Sequence, residues 1–182
     1  MQEEENLVER AKRGDQQAFA RLYEENFNRI YRYIVLRIGD RTEAEDLTQQ
    51  VFLNAIRSIA SFKWKGKPFI TWLYRIAHNQ VIDHLRKKNR ESPAPLEESA
   101  LGGDSSPELM AEHSLSIEEV LAATRGLTES QREVISLRFT SELSIAEVAR
   151  IMGKSEGAVK ALQHSAIAAL RKALLVKDHE KD

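Results

Sequence analysis

The stretch from residue 62 to residue 79, F-K-W-K-G-K-P-F-I-T-W-L-Y-R-I-A-H-N, mixes aromatic side chains with lysines. Both tryptophans of the 182-residue chain, Trp64 and Trp72, lie in it. Aromatic faces stack on unpaired bases, contributing about 1–3 kcal/mol per base, while cations follow the phosphate backbone. Gly66 gives the loop enough freedom to close around a flipped base. This stretch therefore indicates binding of single-stranded nucleic acid.

Pro68 is placed where a helix can begin. Helical spacing divides the residues after it into two faces. This helix is predicted to run to about Lys88. Its buried stripe is predicted to contain Ile70, Leu73, Ala77, Val81 and Leu85. The opposite face is predicted to carry Trp72, Arg75, Asn79, Asp83 and Arg86.

The alternative for the aromatic residues is a purely structural role. In that case Trp64 and Trp72 cover the domain core and the lysines only keep the protein soluble. Phe62, Phe69 and Tyr74 are expected in or near the core under either interpretation. The sequence favours a nucleic-acid role for Trp72 and leaves both roles open for Trp64.

Charge is distributed in blocks, although the chain as a whole carries a net charge of only −1. Residues 62–90 contain eight basic and one acidic residue, whereas residues 91–119 contain eight acidic and no basic residues. Local charge, not overall balance, determines affinity for phosphate. The basic block therefore remains compatible with a nucleic-acid partner.

The sequence gives little support for an enzyme, a metal-binding protein or a membrane protein. The chain has no cysteine, its five histidines are scattered without a ligand spacing, and no glycine-rich phosphate loop is present. We therefore expect neither an enzyme nor a bound metal or cofactor. No apolar run is long enough to cross a membrane, and the acidic N-terminus lacks a signal core. These features predict a soluble, cytoplasmic protein without membrane insertion.

The elements around these residues are predicted to be helical throughout. Gly14 ends a first short helix, and Asp15 is a good N-cap for a long helix through Arg37. The pattern Thr42-x-x-Glu45 predicts a capping box at the start of a third helix, ending near residue 59. Residues 91–113 are rich in proline, glycine and acids and are typical of a flexible linker.

The second half has capping-box patterns beginning at Ser116, Thr128 and Ser144. In residues 143–164 a small residue, Ala149, precedes Gly153 by four positions, which is the spacing of a helix-turn-helix with its second helix starting near Ser155. That second helix would enter the major groove of duplex DNA. The alternative is an ordinary helical hairpin that binds nothing.

Taken in this order, the motifs resemble those of bacterial RNA polymerase sigma factors of the sigma-70 family, especially the compact extracytoplasmic-function (ECF, group IV) class. Three stretches carry the resemblance: E-A-E-D-L-T-Q-Q-V-F-L-N-A-I-R at 43–57, the aromatic–basic stretch at 62–88, and L-T-E-S-Q-R-E-V-I-S-L-R-F at 127–139. The resemblance covers roughly residues 5–175. It implies an all-α protein of two small helical domains joined by an acidic flexible linker.

The resemblance assigns residues 1–90 to sigma region 2, which binds core polymerase and recognises and melts the −10 promoter element. Residues matching the segment that docks on the β′ coiled coil are Asp46, Leu47, Gln49, Gln50, Phe52 and Leu53, of which the exposed ones would make the contact. Residues matching the surface that reads the melted −10 strand are Lys63, Trp64, Lys65, Lys67, Trp72, Arg75, Asn79 and Arg86.

The resemblance assigns residues 91–115 to the linker and residues 116–182 to sigma region 4, which reads the −35 element as duplex and touches the β flap. Expected −35 contacts are Lys154, Ser155, Glu156, Lys160, Gln163, His164 and Arg171. Family members often have arginine at the positions of Ser165 and Leu162, so this helix is less basic than usual. The linker is expected to run toward the RNA exit path of the polymerase.

The function that follows from the resemblance is a promoter-specificity subunit without catalysis of its own, acting in transcription initiation, often in stress responses. Its expected partners are core RNA polymerase, promoter DNA and an anti-sigma factor. A stand-alone regulator that binds duplex DNA through the helix-turn-helix is the alternative. It leaves the aromatic–basic helix and the 43–57 stretch without a role.

Overall fold

The structure is a computed structural model that describes residues 2–64, 66–91, 120–141 and 143–179, with the side chains of 174–179 excluded. Every regular element in these ranges is a helix. The first half contains α1 (Gln2–Lys12), α2 (Gln16–Ile38), α3 (Arg41–Ser58), a 3₁₀ turn (Ile59–Ser61) and α4 (Phe69–Glu91). The second half contains α5 (Glu129–Thr140), α6 (Ile145–Met152) and α7 (Glu156–His179), preceded by helical residues at 120–124.

Both ends of α2 follow from the sequence. The carboxylate of Asp15 accepts hydrogen bonds from the N–H groups of Gln17 and Ala18, which confirms Asp15 as the N-cap. Gly39 ends the helix in the left-handed region, with φ of 81°, and its N–H donates to the carbonyl of Val35. The predicted long helix is therefore confirmed, with its end at Ile38, one residue beyond Arg37.

The start of α3 differs from the prediction. Asp40, not Thr42, is the N-cap, and its Oδ1 accepts the N–H of Glu43 at 2.8 Å. Aspartate is at least as good an N-cap as threonine, and it comes two residues earlier, so the helix begins at Arg41. The predicted Thr42-x-x-Glu45 capping box is therefore wrong.

The core of the first half lies between α2, α3 and α4, with α1 packed on α2. Helix α4 begins directly after Pro68 and buries the predicted stripe, with Leu85 only half-buried at its end. Phe69 and Tyr74 join this core, as predicted, and Phe62 is half-buried at its edge.

Two of the predicted capping boxes in the second half are confirmed. Thr128 and Gln131 cap α5 reciprocally, and Ser144 and Glu147 cap α6 in the same way. The third, at Ser116, lies outside the described residues. Gly153 ends α6 with φ of 63°, and the oxygen of Ser155 accepts the N–H of Ala158 at 3.2 Å, so α7 starts as the helix-turn-helix pattern predicts.

The two halves pack directly against each other, which the sequence did not predict. Helix α5 lies along α2, and α6 contacts α4. The hydroxyl of Tyr74 on α4 donates to the backbone carbonyl of Thr140 at the end of α5, at 2.8 Å. The predicted linker boundaries fall mostly outside the described residues, except that α4 extends to Glu91.

Among the described residues, none of the helices combines the length and the apolar character needed to cross a membrane. The same part of the chain contains no group of three or more acidic, histidine or cysteine side chains arranged to hold a metal ion.

Candidate nucleic-acid interface

The aromatic residues of the 62–79 stretch form one cluster at the start of α4. The ring of Trp72 packs against Phe62 and Phe69, with centroids 5.1 and 5.4 Å apart. Phe62 also meets Trp64 edge-on at 6.2 Å. Both tryptophans are therefore half-buried against the core of the first half.

This packing corrects the expectation that Trp72 stands apart from the domain core. The helical spacing did place Trp72 away from the main stripe. However, the chain before α4 folds back, so that Phe62 lies beside Trp72 and covers part of it. Each tryptophan keeps part of its surface accessible, so a stacking role remains a prediction for both.

Farther along α4, the polar face is open. Arg75, Asn79 and Arg86 are exposed, as the periodicity predicts. Arg75 and Asn79 line one side of a cleft of about 260 Å³, and the end of α6 with its turn, from Arg150 to Gly153, lines the other side. Guanidinium groups of Arg75 and Arg150 make this cleft cationic.

The loop lysines differ in their surroundings. Lys63 is exposed, and Lys65 lies outside the described residues. The ammonium of Lys67 lies 3.4 Å from Oε1 of Glu147 in the second half. Partial burial of Glu147 raises its pKa, but hydrogen bonds from Ser144 and the ion pair with Lys67 together hold that pKa below its usual value of 4.5.

The surface of α3 is a second candidate interface. Asp46, Gln49, Gln50 and Leu53 are exposed, and Leu47 is half-buried. Leu53 and Ile56 leave 48% and 46% of their surfaces open, so α3 presents apolar as well as polar groups. Sequence reasoning missed Ile56, although its position three residues after Leu53 on one helical face was a usable signal.

Phe52 does not belong to this surface. Only 4% of it is exposed, and its ring meets Tyr23 edge-on at 4.7 Å and stacks near Phe27 at 6.2 Å. It was predicted together with its neighbours because the matching stretch is continuous in sequence. A helix turns successive side chains by about 100°, so Phe52 faces the core while Leu53 faces outward.

Helix α3 is tied to the far end of α4 by a polar contact that the sequence did not predict. Glu43 accepts from Lys88 at 3.1 Å and lies 3.2 Å from Nε2 of His84. These contacts fix the direction of the basic helix relative to α3.

The exposed side of α7 is the third candidate interface. Six of the seven predicted −35 residues are exposed, namely Lys154, Ser155, Glu156, Lys160, His164 and Arg171. Gln163 is half-buried, and its carbonyl oxygen is buried without a hydrogen-bond partner. Ser165, where relatives often have arginine, accepts a hydrogen bond from Gln131 at 3.0 Å, which braces α7 against α5.

Comparisons with known families agree with this arrangement. The family described as Sigma-70 region 2 matches residues 22–91, and the family described as Sigma-70, region 4 matches residues 125–172. The first match includes α3 and α4, and the second includes the helix-turn-helix.

Similar proteins extend the likeness to most of the chain. The ECF RNA polymerase sigma factor BldN of Streptomyces coelicolor is 43% identical over 92% of this chain and 64% of its own length. The ECF RNA polymerase sigma factor SigW of Bacillus subtilis is 34% identical over 92% of this chain and 94% of its own length. This chain thus spans somewhat less than two thirds of BldN and nearly all of SigW.

Solved structures share the two-part architecture. CnrH, solved in complex with the cytosolic domain of CnrY, superposes with a TM-score of 0.70 at 26% identity, covering 96% of this chain and 98% of its own. The sigma factor RpoE of Bartonella quintana, solved with the anti-sigma factor NepR, has the same fold, with a TM-score of 0.70 at 24% identity over 87% of this chain and 97% of its own.

Proposed function

This chain belongs to the sigma-70 family of RNA polymerase sigma factors, in the extracytoplasmic-function class, and from that premise we propose that it directs core RNA polymerase to promoters. It would act as a binding subunit in the cytoplasm and would carry no catalytic activity of its own. The observation that carries the proposal is the presence of three separate exposed surfaces, on α3, α4 and α7, each with chemistry suited to a different partner.

The α3 surface suits the polymerase. An exposed leucine and isoleucine among carboxylate and amide groups make a mixed apolar and polar patch of the kind that protein partners bury. We assign Asp46, Gln49, Gln50, Leu53 and the added Ile56 to docking on the β′ coiled coil. Leu47 contributes from the edge, and Phe52 supports the surface from below.

The α4 surface suits single-stranded DNA. Arg75 and Asn79 lie one helical turn apart on the exposed side, with the partly open ring of Trp72 one turn before Arg75. This arrangement offers an aromatic face for stacking beside groups that bind base edges and phosphates. We assign it, with Lys63, Lys67 and Arg86, to the melted −10 strand.

The α7 surface suits duplex DNA. It begins at the second helix of a helix-turn-helix, where residues of the first turns contact base edges in the major groove. Lys154 and Lys160 supply phosphate contacts there, and Ser155 and Glu156 stand at the N-terminal end. We assign this surface to the −35 element. The second half would also touch the β flap.

A regulatory protein partner is part of the proposal. CnrH, whose structure covers nearly the whole of this chain, was solved in complex with the cytosolic domain of CnrY. We propose that this chain is likewise bound by an anti-sigma factor that blocks its polymerase-binding surfaces.

Transcription in vitro with purified core polymerase tests the proposed function. Addition of this chain to core enzyme and a library of bacterial promoters should yield specific transcripts that core enzyme alone does not make. Double-stranded DNA binding by the chain without polymerase should be weak. Tight duplex binding combined with no specific transcript above the core-only background would support the stand-alone regulator instead.

A further inference from the structure

Helix α1 has no role in the assignments made so far. The match to Sigma-70 region 2 begins at residue 22 and leaves α1 outside it. The helix is nevertheless firmly packed, because its apolar face contacts α2 and the 3₁₀ turn through the buried residues Leu7, Val8 and Ala11. Its position relative to the rest of the first half is therefore well defined.

A side chain of α1 reaches the first residue of α4. Oε1 of Glu4 accepts the backbone N–H of Phe69 at 3.0 Å, although the two residues are 65 positions apart. Phe69 is fully buried and Glu4 is half-buried, so water has limited access to this hydrogen bond. Helix α1 thus contacts the backbone of α4 at the point where α4 begins.

Helix α4 has no capping side chain of its own at this end. The first N–H groups of a helix lack partners within the helix and need an acceptor from elsewhere. The preceding residues Gly66, Lys67 and Pro68 carry no side-chain oxygen, and the first turn of α4 contains no acidic residue. A carboxylate is favourable at a helix N-terminus both as an acceptor and as a negative charge. Glu4 therefore supplies from α1 what the neighbouring residues cannot.

Both ends of the aromatic–basic loop are in contact with α1. The 3₁₀ turn, on which α1 packs, leads directly into Phe62, whose N–H donates to the carbonyl of Ile59 at 3.0 Å. The other end of the loop is Phe69, which Glu4 holds. Helix α1 is thus the common support for the chain on the two sides of this loop.

The contact of Glu4 with Phe69 bears on the candidate stacking surface. The ring of Phe69 packs against Trp72 and Phe62, with centroids 5.4 and 5.6 Å apart. Trp72 follows Phe69 by three positions, so the two side chains are neighbours on one face of the helix. If the first turn of α4 loosens, the ring of Phe69 moves and Trp72 loses part of its packing.

We propose that Glu4 is a positioning residue for promoter opening. It caps α4 from α1 and thereby holds the loop and Trp72 in the arrangement that receives the melted strand. Glu4 acts through Phe69 and makes no contact with DNA itself. The proposal rests on the proposed function, in which α4 binds the −10 strand, but the capping contact is a property of the chain alone and can be measured without polymerase.

Tryptophan fluorescence is the primary test. Trp64 and Trp72 are the only tryptophans of the chain, and both pack on Phe62 in this cluster, so their emission reports its packing without a label. Glu4→Ala should shift the emission to longer wavelength and increase its quenching by acrylamide, because a loosened first turn exposes the rings to water.

Glu5→Ala is the matched control. Glu5 lies in the same first turn of α1 and is also half-buried, so its removal takes away the same charge from nearly the same place. Among the described residues, however, it has no hydrogen bond to α4. This variant should keep the original emission. Glu4→Gln should do so too, because its amide oxygen can still accept the N–H of Phe69.

Two outcomes of the fluorescence experiment would overturn the proposal. One is equal quenching of Glu4→Ala and Glu5→Ala, and the other is a Glu4→Gln variant that behaves like Glu4→Ala. If Glu4→Ala does not fold, as judged by circular dichroism, Glu4→Asp replaces it. Aspartate keeps the charge but is shorter by one methylene, so its carboxylate should not reach Phe69 and the same shift is expected.

The rate of promoter opening tests the consequence for function. A fluorescent base analogue in the −10 element should report opening about fivefold slower with Glu4→Ala than with Glu5→Ala, the factor expected for the loss of one helix cap. A titration should show equal binding of both variants to core polymerase. Equal opening rates, or a loss of core binding that accounts for the slower opening, would overturn the positioning role.

Transcription with core polymerase separates the two proposals. If no variant supports specific transcription while Glu4→Ala alone shows the increased quenching, the proposed function fails and the capping of α4 by Glu4 stands. If transcription is specific but Glu4→Ala and Glu5→Ala open the promoter at the same rate, the positioning role fails and the proposed function stands.

Discussion

The hydroxyl of Tyr74 donates a hydrogen bond of 2.8 Å to the backbone carbonyl of Thr140, which joins α4 of the first half to the end of α5 in the second. The ring of Tyr74 is fully buried and meets Tyr33 edge-on at 5.5 Å. Burial raises the pKa of the Tyr74 hydroxyl, so it stays a donor at neutral pH. One side chain thus belongs to the core of the first half and to the contact between the halves.

Tyr74→Phe should lower the free energy of unfolding by about 1 kcal/mol, because it removes this hydrogen bond and leaves the aromatic packing in place. Tyr33→Phe is the matched control. The buried hydroxyl of Tyr33 lies near Arg37 without an aligned hydrogen bond, so its removal should change stability by less than about 0.5 kcal/mol. Urea denaturation followed by circular dichroism measures both. Equal losses for the two variants would contradict the role given to the Tyr74 contact.

Substitutions of two adjacent residues of α3 should affect different properties, stability in one case and polymerase binding in the other. Phe52→Ala removes a buried ring and should cost about 3–5 kcal/mol of stability. Leu53→Ala removes an exposed side chain and should cost less than about 0.5 kcal/mol, yet it should weaken binding to core polymerase. Denaturation and a binding titration with core enzyme measure the two effects. Unchanged polymerase binding by Leu53→Ala would remove Leu53 from the docking surface.

Asn79→Ala should slow promoter opening by about tenfold, because a contact worth roughly 1–3 kcal/mol to the melted strand is lost. Asn89→Ala, at another exposed position of α4, should have no effect. The fluorescence of a base analogue in the −10 element reports opening, and a titration reports core binding. If Asn79→Ala weakened core binding as much as opening, Asn79 would have a structural role instead.

Trp72→Ala should impair opening too, but it should also lower stability, because the ring packs on Phe62 and Phe69. Comparison of opening rates with denaturation curves separates the two effects. A stability loss without slower opening would leave Trp72 with only its structural role.

Acid should weaken the capping box of α6. The pKa of Glu147 is lower in the folded chain than its ordinary value of 4.5, so its contribution to stability is fully present above that value and is lost as the pH falls through the folded pKa. Between about pH 7 and about pH 3, the original chain should lose more stability than Glu147→Gln, which cannot titrate. Urea denaturation at both pH values measures the difference. Identical losses would contradict the role of this carboxylate.

Local features of the fold could be predicted from the sequence because they depend on neighbouring residues. Asp15, Thr128 and Ser144 cap helices whose first N–H groups are only a few positions away, and Gly153 permits the one backbone conformation that the helix-turn-helix requires. The capping of α3 was mispredicted because Asp40 and Thr42, two positions apart, are both good N-cap residues. Only the geometry of the turn after Gly39 decides between them.

Contacts between distant parts of the chain were not predictable in this way. The packing of Trp72 on Phe62 depends on how the loop before α4 folds back, and helical spacing carries no information about that loop. The residues around the end of α2 gave no indication that Arg37 would be buried against Glu133, 96 positions later. Pairings of this kind depend on how the two halves meet, which no local pattern determines.

Permanganate reactivity of thymines in the −10 element shows whether this chain opens a promoter that it selects. We predict that these thymines become reactive only when the chain and core polymerase are both present, and that Asn79→Ala reduces the reactivity while Asn89→Ala does not. Reactivity with core enzyme alone, or no reactivity in the complete mixture despite a duplex footprint of the chain by itself, would mean that the chain does not act as a promoter-opening subunit of the polymerase.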